Sequence, residues 1–514
     1  KHFYLIVLLS KAKPLLMLNH PQLLPVKLSS INKELNEAII NEYDVLTIIL
    51  PKDKKLTKLN ALAFSKSILN RIKALKDSDS FSFTADNQKC THVTIDAFIN
   101  KSRYENLVWA RKLIDSFTSK NQDRIGLLAL DDDQQILEEI TQVLYLATSA
   151  KSFKLDTFFS DPKKLLLKKC TRLLEALHPV SKETVTNTSA YIEGNNLARW
   201  LTALPPNILD AKAYIRFLKT YASDYKIDYE LFTEKKLSIL NAGAFLAVSQ
   251  GNYDRNAGIV KLSYLGSPKK SETDLAIVGK GIIFDTGGTN MKPFQHMLDM
   301  HIDMEGSAVA LGLLHALKKI KAKINIEVWL AITENRVSAR SYKSQDIITA
   351  SNGVTIQTIH TDAEGRMVLA DTLALACKAK PKWVIDFATL TGTCESALTT
   401  KYAGVFTNKQ ELNDTLIQSG LASGERVWPF PMDNDFLELI ESDIADVKQC
   451  PESGGGDHIA AAKFLEKFIS KDITWVHTDL SSGFTKSGLA HIPTQITGFG
   501  IGFGLELLRK VGKI

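Results

Sequence analysis

Apolar and polar positions along the C-terminal two thirds of the chain follow two alternating patterns. Short apolar runs have the length of strands, and the segments between them repeat apolar residues with the period of a helix. The runs predict strands at residues 275–284, 324–333, 354–360 and 383–390, and the helical spacing predicts helices at 304–319 and 367–378. Strands that alternate with helices indicate a largely parallel sheet covered on both faces.

The first 175 residues carry the same kinds of pattern over shorter stretches. Apolar runs predict strands at residues 45–50 and 125–130, helical spacing predicts helices at 61–75 and 134–146, and a basic helical stretch covers 161–169. A segment rich in Ser and Thr follows, which is typical of a linker. We therefore predict an α/β protein with a small N-terminal α/β domain at 1–175, a linker at 176–190 and a larger C-terminal domain at 191–514, whose mostly parallel central sheet is flanked by helices.

Composition narrows the functional classes. The 514 residues carry a formal charge of +6, with 45% hydrophobic and 23% charged residues. A charge this small for the length argues against a dedicated nucleic-acid binder. The five cysteines are scattered singly and form no CxxC pair, which fits a reducing, cytoplasmic location better than a disulfide framework. No apolar run approaches the roughly 20 residues of a membrane span.

The N-terminus carries an incomplete targeting pattern. Residues 3–9 resemble the apolar core of a short signal peptide, but Lys11 and Lys13 follow at once and no small-residue cleavage site is evident. We do not expect a functional signal peptide. We expect residues 1–16 to be disordered or to precede the native start, for which Met17 is a candidate.

Charged residues gather where the predicted strands of the larger domain end. This is the edge of a parallel sheet at which functional groups meet. The residues are Lys280, Asp285, Lys292, Asp303, Asp362, Glu364 and Arg366, with a Gly287-Gly288 pair among them. Taken one at a time, each has a structural explanation. Asp303 stands where an N-cap would, Asp362 and Glu364 precede a helix, and a strand lysine usually reaches solvent.

The combination of four carboxylates changes the interpretation. If they converged without partners, their repulsion would raise their pKa values and cost stability. A pair of divalent cations about 3.5–4 Å apart removes that cost, because carboxylates bridge such ions. Oxygen ligands with one amine nitrogen suit Zn²⁺, Mn²⁺, Mg²⁺ or Co²⁺. The set contains neither His nor Cys, so the ligands alone leave the metal open.

Several motifs in the same region resemble those of the leucyl aminopeptidase family. They are VGKGIIFDTGG at 278–288, MKP at 291–293, DMEG at 303–306, TDAEGR at 361–366, NNLAR at 195–199, LPPN at 204–207, ATLTG at 388–392 and GLAH at 488–491. The resemblance extends from about residue 191 to the C-terminus and does not reach the first 175 residues. It implies that residues 191–514 form a metallopeptidase domain.

The resemblance implies a role for each matched residue. One tightly bound metal, Mn or Zn, would be held by Lys280 as a neutral amine, with Asp285, Asp303 and Glu364. A second, more exchangeable metal would be held by Asp285, Asp362 and Glu364. Lys292 would stabilise the oxyanion, and Arg366 would hold a bicarbonate ion that moves the proton. The pocket for the first side chain would be lined by Met300, Thr389 and Gly392.

The implied activity is removal of N-terminal amino acids, with a preference for Leu or Met, by a homohexamer that takes peptides as substrates. His360 and Met367 depart from the family's usual residues without replacing a ligand. Two alternatives remain at this stage. A two-metal phosphoesterase also uses clustered carboxylates, and some members of the family combine peptidase activity with a DNA-binding or scaffold role. The chain has no obvious nucleic-acid motif, so we do not expect nucleic acid as a partner.

Overall fold

A computed structural model describes residues 18, 20–31, 42–50, 64–74, 80–84, 92–98, 100–117, 123–161, 172–268, 272–453 and 455–514. The predictions for residues 1–16, for a start at Met17 and for the basic stretch at 162–169 lie outside these residues. None of the helices built from the described residues has the length and apolar character needed to cross a membrane.

The N-terminal part forms a six-stranded sheet in the order β1-β6-β5-β2-β4-β3. All neighbours pair in parallel except β3 and β4. The strands are β1 (Val26–Ser30), β2 (Val45–Leu50), β3 (Ser80–Thr84), β4 (His92–Ala97), β5 (Arg124–Ala129) and β6 (Arg172–Ala176). The described helices of this part are α1 (Lys66–Ala74), α2 (Arg103–Phe117) and α3 (Gln134–Ser152).

The C-terminal part is organised by an eight-stranded sheet in the order β15-β14-β17-β13-β9-β10-β8-β7. Its strands are β7 (Asp228–Thr233), β8 (Gly258–Leu265), β9 (Leu275–Asp285), β10 (Asn325–Asn335), β13 (Trp383–Ala388), β14 (Ala403–Thr407), β15 (Val427–Pro429) and β17 (Thr474–Asp479). The four central strands β17, β13, β9 and β10 are mutually parallel. A separate three-stranded sheet contains β11 (Ile347–Thr349), β12 (Thr355–Gln357) and β16 (Val447–Lys448).

Eleven further α-helices among the described residues cover and connect these sheets. They are α4 (Lys182–Ala203), α5 (Ala211–Asp224), α6 (Glu234–Ile239), α7 (Gly243–Ser249), α8 (Phe294–Met297), α9 (Glu305–Lys319), α10 (Glu364–Cys377), α11 (Gly392–Leu398), α12 (Asn413–Ser423), α13 (Asp457–Glu466) and α14 (Ile501–Lys510). Short 3₁₀ turns occupy Met300–Ile302, Thr399–Lys401, Gln410–Leu412 and Asn434–Ile440.

The central strand β9 is buried on both faces. Ile277 and Ile283 pack into a core with α4 and α9 on one face, whereas Val278 and Ile282 pack into a second core with α10 on the other. A parallel strand that is covered on both faces has a nearly continuous apolar sequence, and for this reason β9 could be predicted well. The fold class, with its mostly parallel central sheet flanked by helices, is confirmed.

Two predictions of local structure need correction. The run at 354–360 forms only the short strand β12 and lies outside the central sheet, because the chain turns away to deliver the residues that follow. The segment expected to be a linker is partly helical, since α4 begins at Lys182 with the side chain of Ser181 as its N-cap. The division of the chain at 176–190 stays a prediction.

Candidate metal centre

Strand ends and one long loop bring the predicted ligands together. Lys280 lies within β9 and Asp285 is its last residue. The loop after β12 carries Asp362 to the start of α10, whose first residue is Glu364. The connection between β9 and α9 passes over the same edge of the sheet and supplies Asp303.

The deepest part of the site is a buried group of three carboxylates. One oxygen from each of Asp285, Asp303 and Glu364 lies within 4.8 Å of the others. The Nζ atom of Lys280 lies 2.7 Å from Asp303 Oδ1 and 3.0 Å from Glu364 Oε1. Lys280 also donates a hydrogen bond to the carbonyl oxygen of Thr389 at 2.8 Å. The carboxylates and this amine therefore share one enclosed space.

A second lysine marks the open side of the site. Lys292 Nζ lies 2.9 Å from Asp285 Oδ2 and 2.7 Å from Asp362 Oδ1. The side chains of Lys292 and Asp362 are 15% and 27% exposed, whereas that of Lys280 is only 4% exposed. A molecule that entered from solvent would therefore meet Lys292 and Asp362 first.

The charges of the site do not balance. The four carboxylates face two lysines, and one oxygen each of Asp303 and Glu364 is buried without a hydrogen-bond partner. Burial, followed by repulsion from Asp285, raises the pKa of Glu364 to about 8. Burial and the charges of Glu364 and Asp285 raise the pKa of Asp362 to about 7. Such a surplus of buried negative charge is costly unless cations neutralise it.

Divalent cations fit this group of residues. Buried carboxylate oxygens without donors are the ligands that such ions take. Lys280 offers a nitrogen beside two of the carboxylates, and Asp362 extends the set toward solvent. The structure thus brings together all five residues predicted as ligands, while their individual roles stay predictions.

Two glycines allow the close approach of the elements. A Cβ atom at Gly365 would lie 2.6 Å from Cε of Lys280, so only glycine lets α10 begin against that side chain. Gly287 has φ +85°, a conformation that glycine adopts at little cost, and a Cβ there would lie 2.9 Å from Oδ1 of Asp362. The glycines that the motifs contain are therefore required by the packing of the site.

The two helix-capping explanations do not apply. Helix α9 has Met304 at its N-cap and no side-chain capping bond, while Asp303 accepts hydrogen bonds from Lys280 and Thr389. Helix α10 has Ala363 at its N-cap and also lacks a side-chain cap. These acidic groups are directed into the cluster instead.

Neutral residues that sequence reasoning did not select hold the ligands in place. Asn335, the last residue of β10, donates hydrogen bonds to Asp285 Oδ1 at 2.8 Å and to the carbonyl oxygen of Thr361 at 3.1 Å. The hydroxyl of Thr361 donates to the carbonyl oxygen of Gly287 at 2.7 Å. Thr361 opens the TDAEGR motif, so its position beside a ligand was the available signal, whereas Asn335 lies outside the motifs named above.

Of the three predicted pocket residues, Thr389 contacts the cluster directly. Thr389 donates its hydroxyl hydrogen to Asp303 Oδ1 at 2.7 Å, so its methyl group remains available for apolar contact. Gly392 is exposed, and a Cβ there would meet nothing within 4 Å. Met300 is half-buried in the 3₁₀ turn just before Asp303.

Arg366 is the third residue of α10, and its side chain is buried. Its Nη2 donates to Asp457 Oδ2 at 2.7 Å, and its Nη1 donates to the carbonyl oxygen of Gln449 at 3.1 Å. Gln449 also accepts from the backbone N–H of His360 at 3.2 Å. Neither Asp457 nor Gln449 was selected from the sequence, because each lies more than 80 residues from its partner and in no recognised motif.

Comparisons with known proteins agree with this geometry. A sequence profile described as "Cytosol aminopeptidase family, catalytic domain" matches residues 196–503. A "Probable cytosol aminopeptidase" of Phytoplasma australiense is 38% identical over 332 residues, which are 64% of this chain and 65% of that protein. The match thus spans slightly less than two thirds of that relative. A protein of the same description from Wolbachia pipientis wMel is 36% identical, over 70% of this chain and 72% of its own length.

Solved structures extend the similarity to nearly the whole chain. Leucyl aminopeptidase from Leishmania major, in complex with actinonin, superposes with a TM-score of 0.80 at 21% identity and covers 95% of this chain and 94% of its own. A mutant of tomato leucine aminopeptidase gives a TM-score of 0.81 at 24% identity, with 94% and 96% covered. At these identities the likeness establishes the fold. Together with the profile match over more than half of the sequence, it follows that the chain belongs to the cytosol aminopeptidase family.

Proposed function

We propose that the protein is a two-metal aminopeptidase that removes N-terminal amino acids from peptides. The observation that carries the proposal is the buried convergence of Asp285, Asp303 and Glu364, with two oxygens that have no donor. Family membership favours this activity over a phosphoesterase or a scaffold, and the names of the relatives favour a cytoplasmic location.

The ligand roles divide between the floor and the open side of the cluster. Lys280, Asp303 and Glu364 are enclosed, which suits a tightly held ion, whereas Asp362 is partly exposed, which suits an exchangeable one. Mn²⁺ and Zn²⁺ are the proposed ions. When bound, such a pair lowers the pKa of a shared water and polarises a carbonyl group. As a ligand, Lys280 would be the neutral amine, which lysine becomes when a metal replaces its proton.

Lys292 is the residue proposed to act on the substrate. Its ammonium group lies between Asp285 and Asp362 at the solvent-facing side, and these carboxylates raise its pKa despite its burial. A permanently charged group in this place would bind the carbonyl oxygen and stabilise the negative charge that develops there. Such pre-positioned charge is usually the largest contribution to rate.

The pocket residues support a broad preference for medium-sized apolar N-terminal side chains such as Leu or Met. Thr389 presents a methyl group, Gly392 leaves open space, and Met300 is flexible enough to fit several shapes.

The bicarbonate predicted at Arg366 is not part of this proposal, because the guanidinium already has an anionic partner in Asp457. We also propose the homohexamer that the resemblance implied, which light scattering would distinguish from a monomer.

A panel of aminoacyl amides tests the proposal. We expect hydrolysis of leucine amide after addition of Mn²⁺ or Zn²⁺, loss of activity with a chelator, and no cleavage of an N-acetylated peptide, because the free amine binds one metal. The N-acetylated and free forms of the same peptide are the matched pair. Equal cleavage of both would refute the exopeptidase assignment, and a faster reaction with a phosphodiester would favour the phosphoesterase.

A further inference from the structure

The guanidinium group of Arg366 is almost completely used by the protein itself. The residue is 2% exposed, and it binds Asp457 through Nη2 and the carbonyl oxygen of Gln449 through Nη1. The remaining nitrogen, Nε, is buried without a partner, and so is Oδ1 of Asp457. Nε–H and Nη2 form one edge of a guanidinium, and the two oxygens of one carboxylate match such an edge.

The fold holds Asp457 in this position. It is the first residue of α13, where the helix dipole favours a carboxylate, and it follows Gly456 at φ +82°. Burial acts to raise the pKa of Asp457, but the charge of Arg366, its hydrogen bond and the nearby His458 and His360 together outweigh burial and lower the pKa below its usual value. The carboxylate is therefore ionised at neutral pH, and a second anion at Arg366 would be repelled by it.

We infer that Asp457 is a built-in anion that takes the place of an exogenous anion at Arg366, so that this protein does not bind bicarbonate there. The catalytic consequence rests on the proposed function. Asp457 is then a positioning residue: it fixes Arg366 and supplies, within the chain, the negative charge that the resemblance had assigned to bicarbonate at this guanidinium. The ion that the family implies does not fit the residues present, because an ionised carboxylate already holds Nη2 of the edge that the ion would bind.

Anion binding tests this inference without any measurement of hydrolysis. The metal-loaded full-length protein, an Asp457→Ser variant and an Arg366→Ala/Asp457→Ser double variant would each be titrated with ¹³C-bicarbonate and followed by NMR and calorimetry. We expect Asp457→Ser to gain a binding site that the double variant loses. Binding to the metals would be common to all three proteins and cancels in the comparison. Bicarbonate bound by the parent protein but not by an Arg366→Ala variant would overturn the inference, as would the absence of any gain in Asp457→Ser.

Activity in carbon-dioxide-free buffer provides the second measurement. We expect the kcat of the parent protein to be unchanged by added bicarbonate, while Asp457→Ser should lose at least about tenfold and recover with bicarbonate or formate. Asp457→Asn, which keeps the size of the side chain, should behave like Asp457→Ser if charge is what matters. A purely structural role would show no rescue by small anions, and that result would refute the inference. Failure of the proposed function would instead show as no hydrolysis by the parent protein, with the anion-binding difference still present.

Discussion

Buried carboxylates near the two large sheets of the molecule differ in how many of their oxygens have a partner. In the N-terminal sheet, the buried carboxylate of Glu175 lies 2.7 Å from Arg124, and the buried carboxylate of Asp96 accepts a hydrogen bond from the indole of Trp109 at 3.2 Å. At the edge of the C-terminal sheet, Asp303 and Glu364 each keep a buried oxygen that has no donor. Both sheets are rich in parallel strands, so topology alone does not explain the difference.

The comparison shows that a site arises where the chain accumulates more buried charge than it neutralises. A buried carboxylate that already has a cationic partner, as Glu175 has in Arg124, contributes to the fold and does not need a bound cation. Unmatched buried carboxylates are tolerated where a bound cation restores the balance or where the carboxyl group keeps its proton. Among the described residues, the one group of acidic side chains close enough to hold a metal lies in the C-terminal part.

A change of one carboxylate to an amide near each sheet should give the largest difference in metal content and activity. Glu364→Gln removes a ligand from the unbalanced cluster, so we expect metal loss and a fall in leucine amide hydrolysis of at least about a hundredfold, since even indirect partners of a metal cost 10–100-fold. Asp96→Asn keeps an acceptor for Trp109 and should leave metal content and activity unchanged. Metal content would be measured by mass spectrometry. Full metal content in Glu364→Gln would contradict the assignment of the cluster.

The cluster could be predicted from sequence because its parts are local to strong elements. Strand β9 is an unbroken apolar run, so Lys280 and Asp285 were placed correctly at its C-terminal half. The loop before α10 contains the first residues of the recognisable TDAEGR motif at 361–366. The fold class followed from the same alternation of strands and helices.

Contacts between segments far apart in sequence could not be predicted. Asp457 reaches Arg366 across 91 residues, and Asn335 reaches Asp285 across 50. No periodicity specifies which distant polar residue completes a buried pair, because that choice depends on how α13 and β10 pack. The helical start of α4 was missed because Ser and Thr suggested a loop, whereas Ser181 caps the helix.

Lys292 should separate turnover from metal binding within the C-terminal site. Its ammonium lies on the open side and is assigned to the oxyanion, so Lys292→Ala should retain the metals and lower kcat by about 10²–10³-fold with a smaller change in KM. Lys292→Arg keeps a positive charge and serves as the conservative comparison. If metal content fell in parallel with kcat in Lys292→Ala, the residue would instead belong with the ligands.

The unbalanced cluster should also make the metal-free protein lose stability as pH rises. The folded-state pKa values of Asp362 and Glu364 are raised to about 7 and about 8, so the folded chain binds more protons than the unfolded one in this range. Stability is then highest below these values and falls as pH increases through them, by about 1.4 kcal/mol per pH unit for each extra bound proton. Denaturant unfolding in chelator would measure this fall in the free energy of unfolding. The range from about pH 7 to about pH 8.5 is chosen because it lies above the usual pKa of histidine.

The change with pH has two controls. Added Mn²⁺ should flatten the fall, because the cation replaces the protons. Glu364→Gln should reduce the fall without metal, because one of the two cluster carboxylates with a strongly raised pKa no longer titrates. If the metal-free parent protein instead became more stable over the same pH interval, the negative charges of the cluster would be neutralised by other groups in solution.

The smallest expected effect concerns substrate preference at the rim of the same site. Gly392 has open space around its Cα, so Gly392→Val should fold normally and fill part of the proposed pocket. We expect kcat/KM for leucine amide to fall relative to alanine amide by about 1–3 kcal/mol in transition-state free energy, the usual value of a methylene-sized change. The two substrates measured on one variant control for any loss of folded enzyme.

The family resemblance also implies a pocket wall from residues 481–489, and this segment decides whether the preference holds. Glu305 is fully buried beside this segment, because a Cβ at Gly483 would lie 2.0 Å from its carboxylate. If Glu305 stays shielded, Leu should be cleaved faster than Arg, and Glu305→Gln should not change that order. A rate for Arg well above that for Leu, lost in Glu305→Gln, would show that the wall opens to the carboxylate and that Met300 and Thr389 do not set specificity.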